Sequence, residues 1–256
     1  MFTKLKTLFY ERKYNAYNTR IKYMFFSSNK KNVDTLVVVF PACSPNSARY
    51  NYVSTIKDIE CNKLFLLDDF ATNHQGCYFI TPNEERCAID LINNIIEQCA
   101  KRCDDKHLQN IVFVGSSKGA YMALNMSLEI SNVKLIIGSP KYFLGTNLNK
   151  DDTIINLRLL VGDPVTEEGI KRLDLRLKNK ILNSRIKPVI IYFHYSDCEH
   201  TYSEHVKFLL QDIKDASISL IEDVQHYPTH REIVNFFPPY LVNTLKAIVT
   251  PDDSHC

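Results

Sequence analysis

The chain has 256 residues, of which 45% are apolar and 23% charged, with a net charge of +2. That length supports one sizeable core, so a single domain over 1–256 is expected, and the near-neutral balance excludes the charge footprint of a nucleic-acid binder. No apolar run is long enough to span a bilayer, and the eight cysteines are scattered without a C-x2-C pair, so neither a metal site nor a disulfide framework is expected.

Residues 1–31 carry eight Lys or Arg against one acid, Glu11. Charges interrupt the first thirteen residues, which therefore lack the apolar core of a signal peptide. The expectation is a cytoplasmic protein. A solvated terminal face is the plain reading of the basic stretch, and peripheral contact with the inner face of the membrane is the alternative. Ile21 to Phe26 reads as a strand. Thr35 to Phe40 is near-continuously apolar, as a strand buried on both faces of a parallel sheet would be. Pro41-Ala42-Cys43-Ser44-Pro45-Asn46 ends it, and Arg49-Tyr50-Asn51-Tyr52 leads into an expected helix. Lys63 to Leu67 is a further strand, and Cys77 to Ile80 reads as a short extended run. Thr81-Pro82-Asn83-Glu84 combines a capping box with Pro at the first helical position. The helix it opens is expected over about 82–104. Its apolar face includes Cys99 and Cys103, read as core-facing thiols.

The next stretch carries the chemistry. Ile111 to Val114 is a short β-branched and aromatic run, Gly115-Ser116-Ser117-Lys118-Gly119 fits G-x-S-x-G, and Ala120 to Leu124 favours helix. Strand, tight turn and helix are the setting of a nucleophile elbow, with Ser117 pushed out at the top of a sheet. The N–H of the following residue, Lys118, then faces the same spot and is an oxyanion-hole donor. The loop after the early strand supplies the second, from Ala42 or Cys43, since Pro41 has no N–H. Cys43 as nucleophile is the rival reading, but it has no sequence-local partner to lower its pKa.

Val133 to Gly138 is another strand. Residues 141–186 break the rhythm with polar helical stretches such as Glu167 to Asn183, and are expected to form a cap insertion. Val189 to Phe193 resumes the sheet, and Ser217 to Ile221 reads as its last strand. A helix over about 230–247 closes the pattern, bent or restarted at Pro238-Pro239. Alternating strands and helices predict an α/β-hydrolase-like fold, a mostly parallel sheet with helices on both faces.

A serine hydroxyl needs a histidine within hydrogen-bond reach and an acid to hold the ring. In this fold the acid follows a later strand and the histidine comes last. Asp197 sits at the expected offset in the loop after 189–193, with Glu199 as the alternative acid. Thr201 to Glu204 reads as a capping box beyond them. After the last strand His230 is placed at the first position of the final helix, with His226 as the alternative. His194, His200 and His205 lack the H-E-x-x-H spacing of a zinc site.

Gly115-Ser116-Ser117-Lys118-Gly119 also resembles the G-S-S-K-G elbow of bacterial capsular-polysaccharide biosynthesis proteins with an α/β-hydrolase fold, the family of the serogroup A meningococcal capsule O-acetyltransferase. A related elbow occurs in the glycan O-acetyltransferase of accessory Sec systems. Tyr50-Asn51-Tyr52 resembles the family's Y-N-Y, and Gly76-Cys77-Tyr78-Phe79-Ile80 its G-x-Y-Y-I. Asp197 resembles an aspartate of G-K-D-D, with His194 where the family has Gly. His230 to Ile233 resembles G-H-x-x-E, with one residue fewer and Thr229 for the Gly. The resemblance implies an O-acetyltransferase that takes acetyl from acetyl-CoA onto Ser117 and passes it to a hydroxyl of a polysaccharide or oligosaccharide. His230 would be the base and Asp197 its orienting acid. No tightly bound cofactor is implied, and capsule biosynthesis enzymes are the expected partners. The Lys118 side chain is read as solvent-exposed, with contact to the anionic donor or acceptor as the alternative. A carbohydrate esterase or deacetylase with the same three residues is the second reading, and a non-catalytic glycan-binding member of a biosynthetic complex the third.

Overall fold

The computed structural model describes residues 9–44, 47–71, 74–104 and 106–249. The described residues form one eight-stranded sheet, built from β1 (Glu11–Ala16), β2 (Thr19–Phe26), β3 (Thr35–Val39), β4 (Asn62–Leu67), β5 (Asn110–Ser116), β6 (Val133–Gly138), β7 (Ile190–Ser196) and β8 (Leu220–Gln225). Their order is β1-β2-β4-β3-β5-β6-β7-β8. The β1–β2 hairpin joins antiparallel at one edge, and β4 through β8 are mutually parallel with β3 among them. Part of the basic N-terminus, including Lys4 and Lys6, lies outside the described residues, and the rest supplies this hairpin.

Alternation along the central strands divides the core into two layers. Leu36, Val38, Ile111 and Phe113 face one side, where α1 (Pro82–Ala100) and α2 (Lys118–Ser127) pack. Val37, Val39, Val112 and Val114 face the other, covered by Phe237, Leu241, Leu245 and Ile248 of the last helix, Ile233–Val249. Pro238 and Pro239 lie inside that helix without ending it, because these four side chains fasten it to the sheet on both sides of the prolines. Thr81 caps α1 as expected, accepting the Glu84 N–H at 3.4 Å. Cys99 and Cys103 are both buried.

Several boundaries differ from expectation. Residues after Tyr52 form turns rather than a helix, and α1 ends at Ala100. Cys77 to Ile80 is a turn, with Tyr78 and Phe79 at φ 67° and 49°. Its backbone is fastened by Asp68, whose carboxylate accepts the N–H groups of Cys77 and Tyr78 at 3.1 and 2.8 Å. The last strand begins at Leu220, three residues later than read, and runs on to Gln225, because the polar residues Glu222, Asp223 and Gln225 of its half-exposed end are a weaker signal than Ile218, Leu220 and Ile221. Thr201 does not cap a helix: a π-helical turn, Tyr202–Val206, precedes α6 (Lys207–Asp215). No helix among the described residues is long and apolar enough to cross a membrane.

Between β6 and β7 lie α3 (Leu144–Leu148), α4 (Ile154–Val161) and α5 (Glu167–Asn183). This segment is tied to the body by buried polar contacts. The Tyr142 hydroxyl donates to Asp212 at 2.5 Å, and the Phe143 N–H donates to His205 Nδ1 at 3.1 Å. Burial, reinforced by the charges of Lys141 and Lys150, lowers the His205 pKa from 6.5 to about 3. With a depressed folded value, the unfolded chain takes a proton below pH 6.5 that the folded chain refuses. The stability His205 contributes is therefore present above pH 6.5 and is lost as pH falls toward 3, by up to about 1.4 kcal/mol per pH unit. His205→Asn keeps an acceptor for the Phe143 N–H and removes the titration. Urea unfolding between pH 6.5 and 4.5 is expected to give a flatter stability profile for this variant than for the wild type. Parallel profiles would mean that His205 accepts its proton inside the fold.

Candidate active site

The site lies beyond the carboxyl ends of β5, β7 and β8, which is where an open α/β sheet presents its loops. At the end of β5 the chain reverses through Ser117, whose φ of 50° and ψ of −112° are the strained geometry of an elbow. The glycines on either side make the turn sterically possible. A Cβ on Gly115 would lie 2.2 Å from the Gly119 carbonyl carbon, and one on Gly119 would lie 2.7 Å from the Phe40 oxygen. The Ser117 N–H donates to the Gly138 carbonyl at 2.7 Å, which fixes the elbow against β6. Below it, the Tyr52 and Ser116 hydroxyls are hydrogen-bonded at 2.5 Å.

His230 enters from the loop after β8. It sits not at the first position of the final helix α7 (Ile233–Val249) but in a 3-10 turn, His230–Glu232, ahead of it. His230 Nε2 lies 3.0 Å from Ser117 Oγ, and its Nδ1 lies 2.8 Å from Glu199 Oε2. The Thr201 hydroxyl is 3.2 Å from the same Nδ1. The Glu199 side chain is fully buried. Burial pushes its pKa up, but the hydrogen bond from His230, the nearby Ser139 side chain and the charges of His230 and Lys141 outweigh this and hold it below the usual carboxylate range. A charged carboxylate on Nδ1 selects the tautomer with a hydrogen there, leaving Nε2 as the acceptor facing the serine.

Asp197, the acid preferred from the sequence, is not brought to His230. It is exposed and pairs with His226 at 2.7 Å. The physical reason is the length of β7. Read as ending at Phe193, the strand puts Asp197 at the acid's offset. It runs to Ser196, and the Asp197 N–H still bonds Gln225 of β8, so the inward position passes to Glu199. His226, the alternative base, is held by Asp197 at the exposed rim and is not placed on Ser117.

The loop after β3 carries both candidate oxyanion donors read from the sequence. The Ala42 N–H donates to the Asn51 side chain at 2.9 Å, which leaves the Cys43 N–H as the candidate loop donor. Cys43 is exposed as a residue, yet the protein atoms packed around its thiol raise the pKa despite the opposing charge of Lys118, which disfavours it as a nucleophile. The Lys118 side chain is not solvent-exposed, nor free for a ligand. Its ammonium is buried against Asp68 at 2.8 Å, donates to the Gln75 carbonyl at 2.5 Å and lies 5.4 Å from the Tyr78 ring centre.

His194, at the family's glycine position, is buried and hydrogen-bonded to Asp223 at 2.5 Å. It stacks on Tyr227. Local sequence pattern assigns no partner to the residues that support the site. Asn51 meets Ala42 nine residues away, while Tyr52 on Ser116 and Thr201 on His230 are contacts between segments far apart in the chain. The Y-N-Y stretch is the one indication that Asn51 and Tyr52 matter.

No protein-family model and no curated protein sequence matches the chain. Solved structures do. The capsule O-acetyltransferase of Neisseria meningitidis serogroup A is similar with a TM-score of 0.72 at 16% identity, over 93% of this chain and 99% of that one. A histidine-to-alanine mutant of that enzyme, solved in complex with CoA, is similar at the same TM-score and 17% identity, over 92% of this chain and 94% of that one. A chain of the glycosylation-associated Gap123 complex of Streptococcus agalactiae has a TM-score of 0.74 at 14% identity, covering 95% of this chain and 47% of that one. An α/β serine hydrolase homologue from Coxiella burnetii has a TM-score of 0.57 at 10% identity, over 94% and 97% of the two chains. The resemblance read from the elbow is thus matched in three dimensions over most of the chain, and the fold is that of the α/β hydrolases.

Proposed function

We propose that the chain is a serine-dependent O-acyltransferase that moves acetyl from acetyl-CoA to a hydroxyl of a bacterial surface polysaccharide, through an ester on Ser117. The observation that carries this reading is the hydrogen-bonded line Ser117–His230–Glu199 at a strained elbow. It occurs in a chain whose structural likeness includes a capsule O-acetyltransferase, one form of which was solved with CoA.

In this mechanism His230 Nε2 takes the Ser117 proton as Oγ attacks the thioester carbonyl. The oxyanion that forms is held by the N–H groups of Lys118 and Cys43. His230 then gives the proton to the departing CoA sulfur, leaving acetyl on Ser117. A sugar hydroxyl enters, loses its proton to His230 and attacks the ester. Ser117 recovers its proton as the acetylated sugar leaves. Glu199 stays ionised and keeps the imidazole oriented through both halves. A docking role beside capsule biosynthesis enzymes, at the inner face of the membrane, would suit such an activity.

The test is intact mass after incubation with acetyl-CoA, for wild type and Ser117→Ala. An acetyl adduct on wild type alone is expected, with CoA release that rises only when the right oligosaccharide is added. Rapid release without any glycan would instead make the chain a hydrolase. Cleavage of simple acetyl esters without reaction toward acetyl-CoA would remove the donor assignment and leave an esterase.

A further inference from the structure

Asp197, displaced from His230, belongs to a second constellation at the rim of the site. Asp197 and Cys198 follow β7, and His226 follows β8. The Asp197 carboxylate lies 2.7 Å from His226 Nδ1 and 3.2 Å from Cys198 Sγ, and the three donor atoms fall within 4.8 Å of one another. All three residues are exposed. Carboxylate, thiolate and imidazole are the three ligand types that zinc takes, and three protein ligands leave a fourth position for water. Bonds of about 2.0–2.3 Å put the donors of a tetrahedral zinc roughly 3.3–3.8 Å apart. The hydrogen-bonded donors would therefore separate by less than about an ångström, which exposed side chains accommodate by small rotations.

We propose that Asp197, Cys198 and His226 form a site for a zinc-class divalent ion that clamps the loop carrying Glu199 to the loop carrying His230. The sequence hides this site because its ligands come from two loops and Cys198 has no cysteine partner at metal-binding spacing. On binding, the Cys198 thiol loses its proton to solvent. His226 binds through Nδ1 with its hydrogen on Nε2, and the Asp197 carboxylate exchanges two hydrogen bonds for one coordinate bond. Each loop then has a ligand only one to four residues from the Glu199–His230 contact. The proposal rests on this rim alone and stands whatever reaction Ser117 performs.

The probe is Co2+ added to the untagged full chain, followed by absorption. One equivalent is expected to produce a thiolate-to-cobalt charge-transfer band that Zn2+ abolishes. The band should vanish in Cys198→Ser and in His226→Ala. Asp197→Asn is expected to weaken Co2+ binding at least tenfold. Cys43→Ser and Cys256→Ser should retain the band; Cys43 is the other exposed cysteine among the described residues, and Cys256 lies outside them. Unfolding midpoints without metal check that each variant folds, as expected for exposed positions. Zinc should raise the midpoint of the wild type and not that of Cys198→Ser. Absence of the band in wild type, or its survival in either Cys198→Ser or His226→Ala, overturns the site.

Discussion

Glu199→Gln is expected to lower kcat for acyl transfer by about 10^3- to 10^4-fold, the loss that follows when the acid behind a catalytic histidine is made neutral. The amide keeps the volume but can donate to Nδ1, which favours the tautomer whose Nε2 carries hydrogen and cannot accept from Ser117. Asp197→Asn should cost at least a hundredfold less, because Asp197 meets His226 and not His230. CoA release at saturating acetyl-CoA, or hydrolysis of a simple acetyl ester, reads both variants on one scale. Equal losses, or a larger loss for Asp197→Asn, would return the orienting role to Asp197. Thr201 adds a second support to the same ring nitrogen, 3.2 Å away, so some residual activity in Glu199→Gln is expected.

The acid is also where sequence reading reached its limit. The central strands, the elbow and the position of the histidine were legible because each rests on local chemistry: continuous apolar runs, small residues around Ser117, and chain order. β3 was read from Thr35 and begins there, and α5 occupies Glu167–Asn183 as read. The choice between Asp197 and Glu199 depends on where β7 stops. That is set by its ladder to β8, Tyr195 against Val224 and Ser196 against Gln225, which no local pattern of the polar stretch 194–200 reveals. The turn at 77–80 escapes local pattern for a related reason. Its apolar residues suit a strand, but two of them take positive φ because Asp68 binds the backbone there. Lys118 looked like a surface residue because lysines usually are, and its partner lies fifty residues earlier in the chain.

That partner sets the second large effect. Asp68→Ala is expected to destabilise the fold by about 3–5 kcal/mol, the range for removing one member of a buried ion pair. Asp68 is fully buried and Lys118 nearly so. The substitution leaves the ammonium, among the described residues, with the Gln75 carbonyl and the face of Tyr78, and also strips the acceptor from the Cys77 and Tyr78 N–H groups. Lys118→Met should cost less, since the Asp68 carboxylate keeps those two backbone donors. The double variant is expected to be more stable than Asp68→Ala alone, because the buried charge goes with its partner. Urea unfolding of the three variants measures the coupling. If the two single losses simply add, the pair is not interacting and the lysine finds other partners. The location gives the effect a functional side. Lys118 directly follows Ser117 and, in the proposed mechanism, its N–H holds the oxyanion, so its side chain ties that N–H to the 77–80 turn through Asp68. At temperatures where Lys118→Met remains folded, it is therefore expected to lower kcat more than KM, as loss of an interaction made chiefly in the transition state should.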